Sequence, residues 1–268
     1  MAIPQYPIHN YLSTHPELLY MVPERWRRNT VVLRILAGVV SLILIGEAAA
    51  AQKPNTTPSS RIAPLFQHGE GRGAFGCVAV NPPVFLSEDE ALQVIRDEAK
   101  KAGLEFTPDA LTIKNASVPI TEPYWCPRDE EGARPPASQS ALQRQNLVLS
   151  GFDEKHNVAF EFVSQKEFKA WENKNPACMS TVSVYDMKGT AESLRTGLQS
   201  ETGLPWMGVF YEPAASAPDM HRLSKNATEA DWKAAWDKHE KAARKIGEEE
   251  LRKQVDDFIR WLKAQGVI

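Results

Sequence analysis

Net charge is the first thing this sequence lacks: its 31 basic and 34 acidic residues nearly cancel across 268 positions. Binding a phosphate backbone takes a concentrated basic surface, so no nucleic-acid partner is expected. Cysteine is scarce. Cys77, Cys126 and Cys178 allow at most one intrachain disulfide and leave one thiol over. No C-x2-C or H-x3-H pair occurs, which removes the usual zinc frameworks. Long apolar runs are missing too. The run from Ile35 to Gly46 is about a dozen residues, against the roughly 20 that a membrane-spanning helix needs. Lengthening it takes in Arg34 or Glu47, both costly inside a bilayer. No motif names a substrate, no catalytic residue stands out, and no cofactor is expected.

What is there is ordinary globular material, 43% hydrophobic and 24% charged, behind an N-terminus that reads as an address. Arg25, Arg27, Arg28 and Arg34 form a basic region, the apolar run follows, and Ala48 to Ala51 offer small residues before Gln52. That order predicts a secretory signal peptide over 21–51, with 1–20 an upstream extension and Met21 the expected start. An uncleaved anchor through residues 31–50 is the alternative, and the expected location is periplasmic or extracellular. Residues 52–66, which contain KPNTTPSS, read as a disordered linker. Export exposes the cysteines to an oxidising compartment. Cys126 and Cys178 both lie in proline-flanked irregular segments and make the favoured pair, with either pairing of Cys77 left open.

The clearest local statement runs from Gly69 to Gly103. Glycines at 69, 71, 73 and 76 free the backbone around Arg72, and Cys77 to Val80 read as a short buried strand ended by Pro82 and Pro83. The spacing Gly71-x-Gly73-x-x-Gly76 matches a dinucleotide fingerprint. Its context does not, because here the glycines precede a strand instead of opening a helix. Successive glycines can instead form a nest of N–H donors, with Arg72 adding a planar cation, so a small anion, if a small ligand binds at all, is expected at His68, Gly71, Arg72, Gly73 and Gly76; the competing expectation is that Arg72 pairs internally with Glu70, Asp89 or another acid. Ser87 and Glu90 then form a capping box for a helix with Ala91, Leu92, Ile95 and Ala99 on one stripe, ending at Gly103.

Further on, Leu147 to Phe152 and Val158 to Val163 alternate as two antiparallel strands about a loop at 153–157, with Val158, Phe160 and Phe162 on one face. Ser164 caps a helix burying Phe168 and Trp171; Thr181 to Tyr185 reads as a strand, Thr190 to Thr202 as a helix with Ala191, Leu194 and Leu198, and Trp206 to Tyr211 as a strand. Strand, helix, strand with short connections predicts a parallel crossover. The fold class is therefore α+β, a mixed sheet with a β-hairpin, one βαβ-like crossover and C-terminal helices. Residues 67–213 make the domain, 214–227 a linker and 228–268 a helical segment. In that segment the stripe Trp232, Trp236, His239, Ala243, Ile246 restarts out of phase at Leu251, which predicts core packing in helices bent or broken near Gly247, the alternative being a stripe that extends away to meet a partner helix. Glu248 with Arg252 and Glu249 with Lys253 are expected pairs.

The stretches GRGAFGC, PPVFLSEDEAL, AFEFVSQKEF, STVSVYDMKGTAESLR and MGVFYEP resemble a family of uncharacterised exported bacterial proteins over roughly residues 67 to 213. The resemblance implies one module in a bacterial envelope and brings no activity, ligand or catalytic residue. The functional expectation is an exported binding or interaction module whose partner is a protein or a small anion. A hydrolase using His68, Arg72 and Cys77, with His156 as a second candidate base, is the alternative; such an enzyme would gather these side chains in one cleft. The signal-peptide pattern predicts a mature chain that begins near Ala51 or Gln52. N-terminal sequencing of the exported protein checks this, and residues 21–45 retained would mean an anchor instead.

Overall fold

The computed structural model describes residues 60–75, 83–122, 141–174, 183–216 and 227–268. The signal peptide expected over 21–51, the strand expected at 77–80, Gly76 and all three cysteines lie outside the described residues. Along the chain the elements are β1 (Arg72–Phe75), α1 (Glu88–Lys101), β2 (Thr112–Pro119), β3 (Leu142–Val148), β4 (Gly151–Asp153), β5 (Val158–Val163), α2 (Gln165–Ala170), β6 (Ser183–Asp186), α3 (Met187–Leu198), β7 (Trp206–Tyr211) and α4 (Glu229–Ala264). The class is α+β.

At the centre stands a mixed sheet in the order β4-β5-β7. β4 and β5 form the antiparallel hairpin, and β7 runs parallel to β5 from Val158↔Trp206 to Val163↔Tyr211. The crossover between these parallel strands carries α2, β6 and α3, so the parallel partner of β7 is β5 and not, as the strand–helix–strand order suggested, β6, which pairs antiparallel with β1 instead. Every residue of β5 is buried, not one face alone. Ala159 and Val163 pack into a core with Ala191, Leu194 and Leu198 of α3, while Val158, Phe160 and Phe162 pack into a second core with α1 and α4. A strand covered on both faces has no solvent side to alternate towards.

Two antiparallel pairs flank this sheet, β2 with β3 and β1 with β6. The strand expected over Leu147 to Phe152 is divided between them and the centre: Leu147 and Val148 end β3, and Gly151 opens β4. The Phe160 ring lies where a Cβ on Gly151 would sit, so the chain passes close to β5 only with glycine there. The glycine loop is also more regular than expected. Arg72 to Phe75 are strand β1, with Gly73 paired to Tyr185 and the Pro83 ring against its α-carbon. Residues 60–66, assigned from sequence to a disordered linker, instead run beside β7: Ala63 N–H donates to Met207 and Met207 N–H to Arg61, both at 2.8 Å. Ile62 enters one core and Ala63 the other, so the segment carries no periodicity to read.

The caps stand as the sequence implies. Ser87 and Glu90 form their box at α1, Ser164 caps α2, and Thr228 with Asp231 opens α4. Phe168 and Trp171 are buried as expected. α4, however, does not break at Gly247. It runs unbroken for 36 residues, about 54 Å. Its buried seam passes through the glycine itself, as His239, Ala243, Gly247, Leu251, Val255, Phe258 and Leu262, with Leu86 and Ala215 lying over Gly247. The out-of-phase stripe is resolved by leaving Trp232 and Trp236 outside the core, 48% and 38% exposed. Glu248 pairs with Arg252, but Lys253 takes Glu250 and Glu249 faces Lys245. Among the described residues no helix is long and apolar enough to cross a membrane.

A Cβ at Gly247 would meet only ordinary contacts, the nearest at 3.6 Å. Gly247→Ala is therefore expected to stabilise the protein, by up to about 1 kcal/mol from helix propensity. Urea unfolding measures it; a clear loss of stability would mean that α4 needs its glycine to bend.

Candidate functional site

Four of the five residues expected to bind a ligand lie together where the chain from His68 to Gly73 crosses the end of β7. His68 Nε2 lies 2.8 Å from Asp257 Oδ2, and Nδ1 lies 4.0 Å from Glu250 Oε2. Arg260 pairs with Asp257 and Lys253 with Glu250, so the imidazole faces α4 across a strip of alternating charge. Gln254 reaches between them. Its Nε2 donates to the carbonyls of His68 and Tyr211, at 3.0 and 3.1 Å, and its Oε1 accepts the Tyr211 N–H. The Tyr211 hydroxyl donates to the Gly69 carbonyl, and burial pushes its phenol above the usual range.

Gly71 adopts φ +61°, with the Tyr211 ring and Lys188 where a Cβ would be. That left-handed turn aims its carbonyl at the start of α3, where it accepts from Met187 and Lys188 N–H, while its own N–H donates to Pro213. Arg72 Nε donates to Asp186 Oδ1 at 3.1 Å, and the same oxygen caps α3 through Gly189 N–H at 2.7 Å. Of the donors of the expected anion nest, the Gly71 N–H and the Arg72 Nε are thus engaged within the chain, and Gly76 lies outside the described residues. The Arg72 side chain is 63% exposed, so an arriving anion would compete with Asp186 for it.

The two candidate bases do not share a site. His156 lies in the β4–β5 turn with Nδ1 3.0 Å from Asp153 Oδ1, next to Asn157, whose carbonyl accepts from Trp206 at the start of β7. His68 is at the other end of that strand, roughly 16 Å away along it. Burial pushes the Asp153 carboxyl up, but the N–H groups of Glu105 and His156 and the His156 ring outweigh it and hold the carboxyl below its usual value. Beside it lies an open groove of about 500 Å³ lined by Gly103, Glu105, Thr107, Asp153, Glu154 and Lys155. Among the described residues no group of three or more His, Cys, Asp or Glu side chains could hold a metal ion.

Two buried acids were missed from sequence. Glu161 sits between Phe160 and Phe162 in β5, where a charged residue within an apolar strand was the available signal. Burial pushes it up to about 8, aided by Glu167 and Glu88, against hydrogen bonds from the N–H and hydroxyl of Ser150. Glu212 follows β7 directly. Burial pushes it to about 8 as well, although Ala214 and Leu86 N–H groups donate to it and Arg244 lies near. Among the described residues its Oε2 has no partner, and neither ring nitrogen of the buried His239 has one.

Between the ordinary carboxyl value of 4.5 and about 8, the native state keeps protons on Glu161 and Glu212 that the unfolded chain has released. Stability from these groups is full below about pH 4.5 and is lost as pH rises to about 8. Asp153 and Glu90, both lowered, act oppositely and only in the acid range. Melting temperature should therefore peak near pH 5 and fall towards pH 8. Glu212→Gln should flatten that fall and melt several degrees above wild type at pH 8; an unchanged slope in thermal scans would show that Glu212 is ionised in the native protein.

The chain matches no protein-family model, no curated protein and no solved structure.

Proposed function

We propose that this chain is an exported binding module of the cell envelope that engages a protein partner through the first turns of α4. The observation that carries this reading is the pair Trp232 and Trp236, one helical turn apart and 48% and 38% exposed on a helix whose buried seam begins only at His239. Indoles at i and i+4 are the anchors with which a helix fills an apolar groove. Beneath them the His239 ring, 5.7 Å from that of Trp236, is buried without a hydrogen-bond partner among the described residues. The surface is chemically incomplete by itself. A small anion is the weaker occupant, because Arg72 is held by Asp186 and Gly71 N–H by Pro213. Export rests on the basic, apolar and small-residue pattern of residues 21–51, and the likeness to exported bacterial proteins supports the same address.

A photoreactive residue at Lys233 should cross-link one protein of discrete mass in intact cells, whereas the same probe at the exposed Lys263 should not. Trp232→Ala with Trp236→Ala should abolish the adduct and leave the melting temperature nearly unchanged. Equal adducts at both positions, or none at Lys233, would overturn the reading.

A further inference from the structure

β3 ends its sheet. It pairs with β2 on one side, and among the described residues nothing pairs with the other. The bonded pairs Ile120 with Ala141 and Leu111 with Leu149 fix the phase of the ladder. Antiparallel pairing alternates, so Gln143, Gln145 and Leu147 turn their backbone groups towards β2 while Leu142, Arg144, Asn146 and Val148 turn theirs to the open edge. The outward set is also the exposed set. Leu142 and Val148 are 47% and 49% exposed, and with Trp232 and Trp236 they are the large hydrophobic side chains left exposed among the described residues. Natural edges are usually blunted by lysine, proline or a bulge. The bulge in this ribbon lies on β2, between Ile113 and Ala116, and leaves β3 straight.

We infer that the β3 edge pairs antiparallel with the β3 edge of a second copy of this chain, about a two-fold axis through Gln145. That axis sets Leu142 against the second copy's Val148 and Arg144 against its Asn146, each pair twice. About eight backbone hydrogen bonds would form, joining two ribbons into one four-stranded sheet. The sequence selects the register. Moving the axis to Arg144 sets arginine against arginine, and moving it to Asn146 sets Val148 against Arg144 and Leu142 against Ser150. With the axis at Gln145 apolar meets apolar and like charges stay apart. The strand is also held ready to pair. The Arg144 guanidinium is fixed by Glu201 and the Asn115 carbonyl, and Asn146 Oδ1 accepts the Asn115 N–H at 3.1 Å.

Sedimentation velocity of the exported protein over a concentration series should show a monomer–dimer equilibrium. Leu142→Glu or Val148→Lys alone should raise its dissociation constant by about tenfold or more. Combining Leu142→Glu with Val148→Lys places opposite charges face to face in this register and should restore dimerisation to near wild type. Circular dichroism and melting of each variant confirm a folded chain, which half-exposed edge positions should permit. A monomer at every concentration, a dimer indifferent to either single change, or a double variant no better than the singles would overturn the inference.

Discussion

One side-chain amide fastens this fold. Beyond Met207 the segment beside β7 has diverged, and among the described residues the outer edge of β7 at Tyr211 has no backbone neighbour. Gln254 takes that place, accepting from the Tyr211 N–H and donating to its carbonyl as a neighbouring strand would. The second proton of the same amide goes to the His68 carbonyl. Three segments distant in sequence are thereby joined at a residue 1% exposed, where any unmet backbone group would cost on the order of 1–3 kcal/mol. The position of α4, the path of residues 60–71 and the end of the parallel sheet depend together on this amide.

Covering both faces of β5 has a chemical consequence. Glu161 has no solvent to face, so burial favours its neutral form. The Ser150 hydroxyl, which donates to Glu161, also accepts the Phe162 N–H. The bonds that satisfy the acid thus mark where the chain leaves the β2–β3 ribbon and enters the central sheet. Glu212 does similar work at the opposite end of the core, receiving N–H groups from its own turn and from the approach to α1. These two acids act as hydrogen-bonding pieces of a core more than as charges.

The parts legible in sequence were those decided locally. Ser87 with Glu90 marks a helix start because both residues and the N–H groups they satisfy lie within one turn. Trp206 to Tyr211 was readable as a strand because its six residues carry the whole signal. The seam of α4 was not, since Gly247 breaks a hydrophobic pattern while fitting a contact whose shape is set by Leu86 and Ala215. The candidate site divides the same way. His68, Gly71 and Arg72 are near in space because they are near in sequence, but what they do depends on Asp257, 189 residues from His68, and Asp186, 114 residues from Arg72. Single-sequence patterns carry no pairing information at that range, so a free cation in a glycine nest and a cation already paired look alike.

The N-terminal turns of α4 are held by means other than burial. A capping box closes the start, Lys233 and Asp237 pair one turn on, and Arg244 bridges Glu240 to Glu90 at the start of α1. Alanine fills 230, 234, 235 and 242, giving the helix strong local propensity with little side-chain bulk. A segment that contributed only to the core would not need to stay helical where the core ends. This one does, and it carries two indoles into solvent on a rod with no break. From Trp236 to Gln254 is 18 residues, about 27 Å of continuous helix. The partner proposed to grip the exposed indoles would therefore hold the same continuous helix whose far portion is bonded to β7 and His68.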